Sequence, residues 1–147
     1  MSMLAEREKK GLLLSGKEPA DLYVVAHRHR QDYAFDVTVI SPCQTTMVQK
    51  AAQYPLLVAQ HAVNAKYEKY AEDIRGQPWK LQPLAFEATG GMDKPVMYFI
   101  RDVARMVAAR RRTRWQIEET SMIQEMSVIL ARSGADMVLR KSWMAGT

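Results

Sequence analysis

The spacing of apolar and polar residues divides the chain into strand-like and helical segments. Three short runs are rich in Val, Tyr, Phe or Leu and are typical of β-strands: residues 21–25, 33–40 and 79–87. Three longer segments place apolar residues three or four positions apart, as helices do: residues 45–74, 95–111 and 115–133. The order strand, strand, long helix, strand, helix, helix predicts an α/β fold in which helices flank a small mixed β-sheet.

Proline, glycine and capping residues set the expected ends of these segments. Pro55 should split or kink the long helix, and Asp93 is placed to cap the helix that begins near residue 95. Gly134 should end the last helix, leaving residues 137–140 as a strand or loop. The polar residues 27–32 read as the tip of a hairpin.

The length of the chain is that of one domain. It has 147 residues, 48% of them hydrophobic, which is enough to form a core. Residues 1–18 are charged at first and then briefly apolar, and they predict a short helix or an arm. We expect residues 19–147 to form the α/β domain.

One acidic residue interrupts the strand with the strongest β pattern. Residues 33–40 are mostly apolar, which predicts a strand covered on both faces, and Asp36 lies in the middle of that run. A carboxylate buried in a strand is costly unless it is paired or binds a metal ion. This position therefore needs a partner.

Asp36 and three other polar residues form a candidate phosphodiesterase site. Asp21 stands at the head of the first predicted strand, and Lys66 and Lys69 lie on the helix that follows the second. Two carboxylates can hold Mg²⁺ or Mn²⁺ together with water and phosphate, and a lysine can stabilise charge on a phosphoryl oxygen. By spacing alone this signal is weak, and the pattern favours the alternative of a turn aspartate, a hydrogen-bonded strand aspartate and solvated helix lysines.

Five segments occur in the order seen in a known family of domains. They read PADL at 19–22, FDVTVISP at 35–42, KYEKY at 66–70, PLAFEATGG at 83–91 and MSVILAR at 126–132. In this order they resemble the PD-(D/E)XK, or restriction-like, endonuclease domain of non-LTR retroelement polyproteins. The resemblance covers about residues 19–140 and implies a restriction-endonuclease-like core with a C-terminal pair of helices.

The resemblance also implies roles for individual residues. Asp21 and Asp36 match the two acidic positions that hold the metal ion. The lysine usual two positions after the second acid is replaced by Thr38, and in this subgroup the following helix supplies it, which points to Lys69 with Lys66 as the alternative. Glu87 occupies a further family position, where it can end a strand.

In retroelements other regions accompany such a domain, and because they are not part of this sequence we also consider a second function. The reverse transcriptase and zinc-knuckle segments that precede it in retroelements are not part of this sequence. We therefore expect either an endonuclease-like domain that nicks DNA or a domesticated copy without catalysis. The latter would be a structural subunit of a large nucleoprotein assembly, such as an organellar ribosome.

Positive charge is concentrated in the second half of the chain and indicates a polyanionic partner. The net charge is +5, and a cluster of arginines lies on and after the predicted helix 95–111. These candidate nucleic-acid-binding residues are Arg101, Arg105, Arg110, Arg111, Arg112 and Arg114. Phosphate contacts carry no sequence information, so DNA and RNA are both possible partners.

Two further observations concern the cellular compartment and the membrane. The single cysteine, Cys43, cannot form an internal disulfide, which fits a reducing intracellular compartment such as the nucleus or an organelle matrix. No segment approaches the roughly 20 consecutive apolar residues of a membrane span.

Overall fold

The computed structural model describes residues 4–13, 15–28, 31–41 and 48–145. Within these residues four strands form one mixed sheet in the order β1-β2-β3-β4. Their bounds are β1 Leu4–Arg7, β2 Leu22–Arg28, β3 Gln31–Ile40 and β4 Trp79–Glu87. The predicted α/β class with a small mixed sheet is confirmed.

The described helices follow the predicted order. Their bounds are α1 Val48–Gln53, α2 Leu57–Tyr70, α3 Lys94–Arg111 and α4 Trp115–Ala145. The break between α1 and α2 contains Pro55, because proline cannot donate to an i−4 carbonyl and its ring clashes with the preceding turn. Residues 45–47, where the first helix was expected to begin, lie outside the described residues, as does Cys43.

By its internal contacts the chain forms two compact units. The first contains Met1–Thr38 and Gln60–Ala85, and the second contains Val39–Ala59 and Phe86–Thr147. The core of the first unit consists of mutually packed residues from its strands, from α2 and from the segments beside them. They are Leu13, Ala20, Tyr23, Ala34, Tyr70, Trp79 and Leu81.

The N-terminal segment corrects one sequence prediction. Residues 4–7 were expected to be helical or an arm, and they form β1, which pairs antiparallel with β2 from Leu4↔Val25 to Arg7↔Leu22. Glu6 and Arg7 are exposed on this edge strand, and charged side chains are typical of sheet edges. The strand's partner is distant in sequence, so local pattern alone does not reveal it.

Strands β2 and β3 differ from the prediction in their ends and their burial. Residues 27–28 and 31–32, expected in a hairpin tip, belong to the strands, while residues 29–30 lie outside the described part. Only Ala34, Phe35 and Asp36 are buried in succession within β3, and Val37 and Val39 are exposed. The expectation that this whole strand is covered on both faces is therefore wrong beyond Asp36.

Helix α3 begins and ends as its sequence predicts. The Asp93 side chain accepts a hydrogen bond from the Val96 amide at 3.2 Å, and proline stands in the first turn. The helix ends at Arg112, which has left-handed backbone angles and donates its amide to the Ala108 carbonyl. Its buried residues are four apart, namely Val96, Ile100, Ala104 and Ala108.

Helix α4 is longer than predicted. It runs through Gly134, where it was expected to end, and residues 137–140 are helical rather than strand or loop. A Cβ at Gly134 would lie 3.2 Å from the Ala88 carbonyl oxygen, which is a tight contact. The glycine thus serves close packing within the second unit and not helix termination.

Candidate functional site

The first candidate carboxylate is positioned by the start of β2. Asp21 donates its amide to the Phe35 carbonyl at 2.9 Å, and its Oδ2 accepts the Val37 amide at 2.7 Å. The pairing of β2 with β3 begins at Leu22↔Phe35, one residue after Asp21 and one residue before Asp36. Because the Asp21 carboxylate contacts the amide of the residue that follows Asp36, the two predicted acids lie near each other at this end of the strand pair.

The second carboxylate has a lysine partner. Asp36 is buried on β3, and Lys66 on α2 places its Nζ 3.0 Å from Oδ1 and 2.8 Å from Oδ2. The Thr38 hydroxyl donates to Oδ2 at 3.4 Å. Thr38 was not a candidate from the sequence, although its position two residues after Asp36 puts both side chains on one face of the strand.

The structure distinguishes the two candidate lysines by their contacts. Lys69 places its Nζ 4.9 Å from the centre of the neighbouring Tyr70 ring, in a cation–π contact. Three residues away, Lys66 forms the ion pair with Asp36. The sequence resemblance favoured Lys69, which does not form the ion pair with Asp36. The alternative, Lys66, forms it.

The donor set suits a hard divalent cation that brings its own water and phosphate ligands. Mg²⁺ typically takes one or two carboxylates from the protein, and Asp21 and Asp36 supply two. No group of three or more His, Cys, Asp or Glu side chains that could hold a metal ion occurs in the part of the chain described here. Any cation in this unit would therefore depend on ligands from water or substrate.

Glu87 has a local role in the second unit. It is buried, its amide donates to the Gly91 carbonyl at 2.8 Å, and its carbonyl accepts the Gly90 amide at 2.8 Å. A Cβ at Gly91 would lie 2.9 Å from the Glu87 carboxylate, so a larger residue there would require the Glu87 side chain to shift. These contacts favour the structural role at the end of β4.

The arginine cluster separates into two groups by its contacts. Arg101 binds Glu119 at 2.9 Å, and Arg111 binds the buried Glu118 at 3.2 Å. Arg101 and Arg105 both lie over the Trp115 ring, with centroid distances of 5.7 and 5.1 Å. The guanidinium groups of these three arginines thus already contact α4, which makes them less available to bind phosphate groups of a nucleic acid.

The second group consists of Arg110, Arg112 and Arg114, all exposed at the end of α3 and the turn after it. No ion pair within 4.0 Å involves them among the described residues. The negative end of the α3 dipole favours cations here. The positive charge of this group is therefore available to a phosphate backbone.

Comparison with known proteins adds no relative to these geometric observations. No family model, no curated protein and no solved structure matches this chain. The likeness to retroelement endonuclease domains rests on the five sequence segments. None of the described helices has the length and apolar composition needed to cross a lipid bilayer.

Proposed function

We propose that this chain is a nucleic-acid-binding, Mg²⁺- or Mn²⁺-dependent endonuclease-like domain of retroelement origin that nicks DNA. In this proposal the sheet is a PD-(D/E)XK core, and the protein acts in the nucleus or an organelle matrix. The observation that carries the proposal is the grouping of Asp21, Asp36 and Lys66 in one unit, with the lysine on the buried carboxylate. Carboxylates that can hold a metal ion and a cation that can stabilise a phosphoryl oxygen are residue types that metal-dependent phosphodiester hydrolysis uses.

Each of the three residues has a task in that reaction. Asp21 and Asp36 would hold the divalent cation, which when bound polarises the phosphate and lowers the pKa of a coordinated water. Lys66 would leave the Asp36 carboxylate for a phosphoryl oxygen, where its ammonium group stabilises the developing negative charge. The exposed arginines at the end of α3 would add sequence-independent attraction to the phosphate backbone.

A plasmid-nicking assay tests the proposal. Purified protein should convert supercoiled DNA to the open circle with Mg²⁺ or Mn²⁺, and chelation should stop the reaction. Asp36→Asn and Lys66→Met should each reduce the rate by at least about 100-fold, in line with the loss of an electrostatic catalytic group. Lys69→Met is the matched control, since Lys69 has the cation–π contact instead of the ion pair. Equal losses in Lys66→Met and Lys69→Met would contradict the assignment.

A second candidate function is a non-catalytic subunit of a large nucleoprotein assembly. The observation in its favour is that protein groups already satisfy the carboxylates: Lys66 contacts both oxygens of Asp36, and the Val37 amide contacts Oδ2 of Asp21. A buried carboxylate with such partners is stable without a metal ion. In this function the fold is kept and the exposed arginines bind RNA.

Calorimetric titration with Mn²⁺ separates the two candidates. Binding that both Asp21→Ala and Asp36→Ala abolish supports the endonuclease. Absence of binding, together with salt-sensitive co-purification of RNA, supports the structural subunit. Circular dichroism of both variants controls for loss of the fold.

A further inference from the structure

Helix α4 carries exposed apolar residues at a regular interval. Ile117, Val128 and Leu139 are 61%, 51% and 57% exposed and follow one another at intervals of eleven residues. Three turns of α-helix take about 10.8 residues, so this interval returns to nearly the same side of the helix. The result is a straight apolar stripe, with Val128 midway between the other two residues.

The positions between these three residues permit close approach. Ser121, Gln124 and Ala135 lie on the same side of α4, are exposed and are uncharged. The small side chains of Ser121 and Ala135 let two helices come near each other, and an eleven-residue repeat keeps the contact in line along a straight or slightly right-handed pair. This exposed side of α4 therefore has the shape of a helix–helix contact surface.

Charged residues lie along one border of the stripe. Glu125 and Arg132 are exposed, are seven residues apart and are therefore two turns apart on the same flank. Glu125 precedes Val128 by three residues, and Arg132 follows it by four. Opposite charges thus stand at almost equal distances on either side of Val128.

We propose that α4 pairs antiparallel with α4 of a second copy of this chain, about a two-fold axis at Val128. Rotation about that axis reverses the direction of the helix and leaves the charged flanks of the two copies on the same side of the pair. It sets Val128 against its own counterpart and Ile117 against Leu139 of the second copy. It also sets Glu125 beside Arg132 of the second copy, and the same pair forms again on the other side of the axis, as a two-fold interface requires.

The charges select a second copy in this orientation over other occupants. In a parallel pair the two-fold axis would run along the helices and put the charged flanks of the two copies on opposite sides, so that Glu125 and Arg132 would have no charged partner from the second copy. In the antiparallel pair all four charges are matched and the apolar residues coincide. The pattern is self-complementary, and for this reason the partner is the chain itself.

Sedimentation equilibrium of the full chain gives the first test. The protein should have a mass that rises with concentration toward twice 16.8 kDa. Val128→Asp should hold the mass at that of one chain, because it places two carboxylates at the two-fold axis. Ala109→Asp adds the same charge at an exposed position of α3 and should leave the dimer intact. A monomeric wild-type protein, or a dimer indifferent to Val128→Asp, would overturn the proposal.

Charge reversal gives the second test and fixes the orientation. Glu125→Arg and Arg132→Glu should each be monomeric, since each brings like charges together. An equimolar mixture of the two variants should restore the dimer, as should both substitutions in one chain. A dimer in either single variant, or no recovery in the mixture, would show that these residues do not meet across the interface.

Discussion

The Lys66 ammonium nitrogen lies 3.0 and 2.8 Å from the two carboxylate oxygens of Asp36. The two partners differ in burial, because 9% of the Asp36 side chain is exposed against 28% of the Lys66 side chain. Removal of one partner leaves the other charge without its counter-ion, and the cost rises with the burial of the charge that stays behind.

This difference predicts unequal losses of stability. Lys66→Met leaves the more buried charge and should lower the free energy of unfolding by about 3 kcal/mol. Asp36→Asn leaves the more accessible ammonium group and should cost about 1–2 kcal/mol. The double variant should be more stable than Lys66→Met alone. Urea denaturation of the four proteins measures the cycle, and a sum of independent losses in the double variant would argue against a coupled pair.

The pKa of Tyr23 is predicted to stay high in the folded protein. Burial of the phenol raises this pKa to about 12, with further contributions from its 2.7 Å hydrogen bond to Asp32 and from the charge of that carboxylate. Phenolate absorbance measured against pH should show a tyrosine that titrates at higher pH in the folded protein than in the unfolded chain. Asp32→Asn should bring the pKa of Tyr23 closer to 10, and Tyr23→Phe identifies the signal.

The same shift has a consequence for alkaline stability. Between pH 10 and 12 the unfolded chain loses the Tyr23 proton while the folded protein keeps it. The folded state therefore binds more protons in this range, and the contribution of Tyr23 to stability falls as the pH rises. Unfolding measured across this range should be less pH-dependent in Tyr23→Phe than in the wild type.

The cap of α3 combines a hydrogen bond with the burial of a charge. Burial raises the pKa of Asp93 above its usual value, and the hydrogen bond from the Val96 amide opposes that shift. A raised carboxyl pKa means that this group's contribution to stability falls as the pH rises through the folded-state pKa. Asp93→Asn keeps the capping hydrogen bond without the charge. At neutral pH the free energy of unfolding of this variant should therefore equal or exceed that of the wild type.

Asp93→Ala removes the cap as well and should lower the free energy of unfolding by about 1 kcal/mol. Thermal unfolding of the two variants at neutral and acidic pH makes the comparison. An Asn variant as unstable as the Ala variant at neutral pH would mean that the negative charge itself, and not the hydrogen bond, stabilises this end of the helix.

The exposed arginines after α3 should determine the salt dependence of nucleic-acid binding. Arg110→Ala and Arg114→Ala should each flatten the plot of log affinity against log salt concentration, by about 0.9 for each duplex phosphate that the arginine neutralises. Lys94→Ala removes one positive charge from the opposite end of the same helix and is the control. Fluorescence anisotropy with a labelled duplex measures the slopes. Equal slopes in the wild type and all three variants would show that the exposed arginines do not contact the nucleic acid.

Local signals in the sequence predicted α3 and the break before α2 well. Asp93 and the following proline mark a helix start through contacts within a few residues, and Pro55 interrupts a helix wherever it lies. Signals that depend on distant contacts were misread. Glycine is typical of a helix end, yet Gly134 lies inside α4, where its missing Cβ makes room for Ala88.

The residues of the candidate site also divide into those that local sequence indicates and those that depend on distant contacts. The sequence picked out Asp21 and Asp36, since an acid at a strand head and an acid inside an apolar strand are visible in the pattern. The resemblance favoured Lys69 over Lys66, which lies three residues away on the same helix, whereas Lys66 forms the ion pair with Asp36. The Asp36 contact is determined by which side of α2 the packing turns toward β3.

The amino-acid pattern by itself determined the class of the fold, three of its strands, the start of α3 and the pair of acids, because each depends on spacing or on neighbours along the chain. Only the tertiary structure decided that residues 4–7 join the sheet, that α4 continues past Gly134, and which arginines and which lysine are engaged. The physical reason is that strand pairing, close packing and ion pairs join residues far apart in sequence, and periodicity carries no information about those partners.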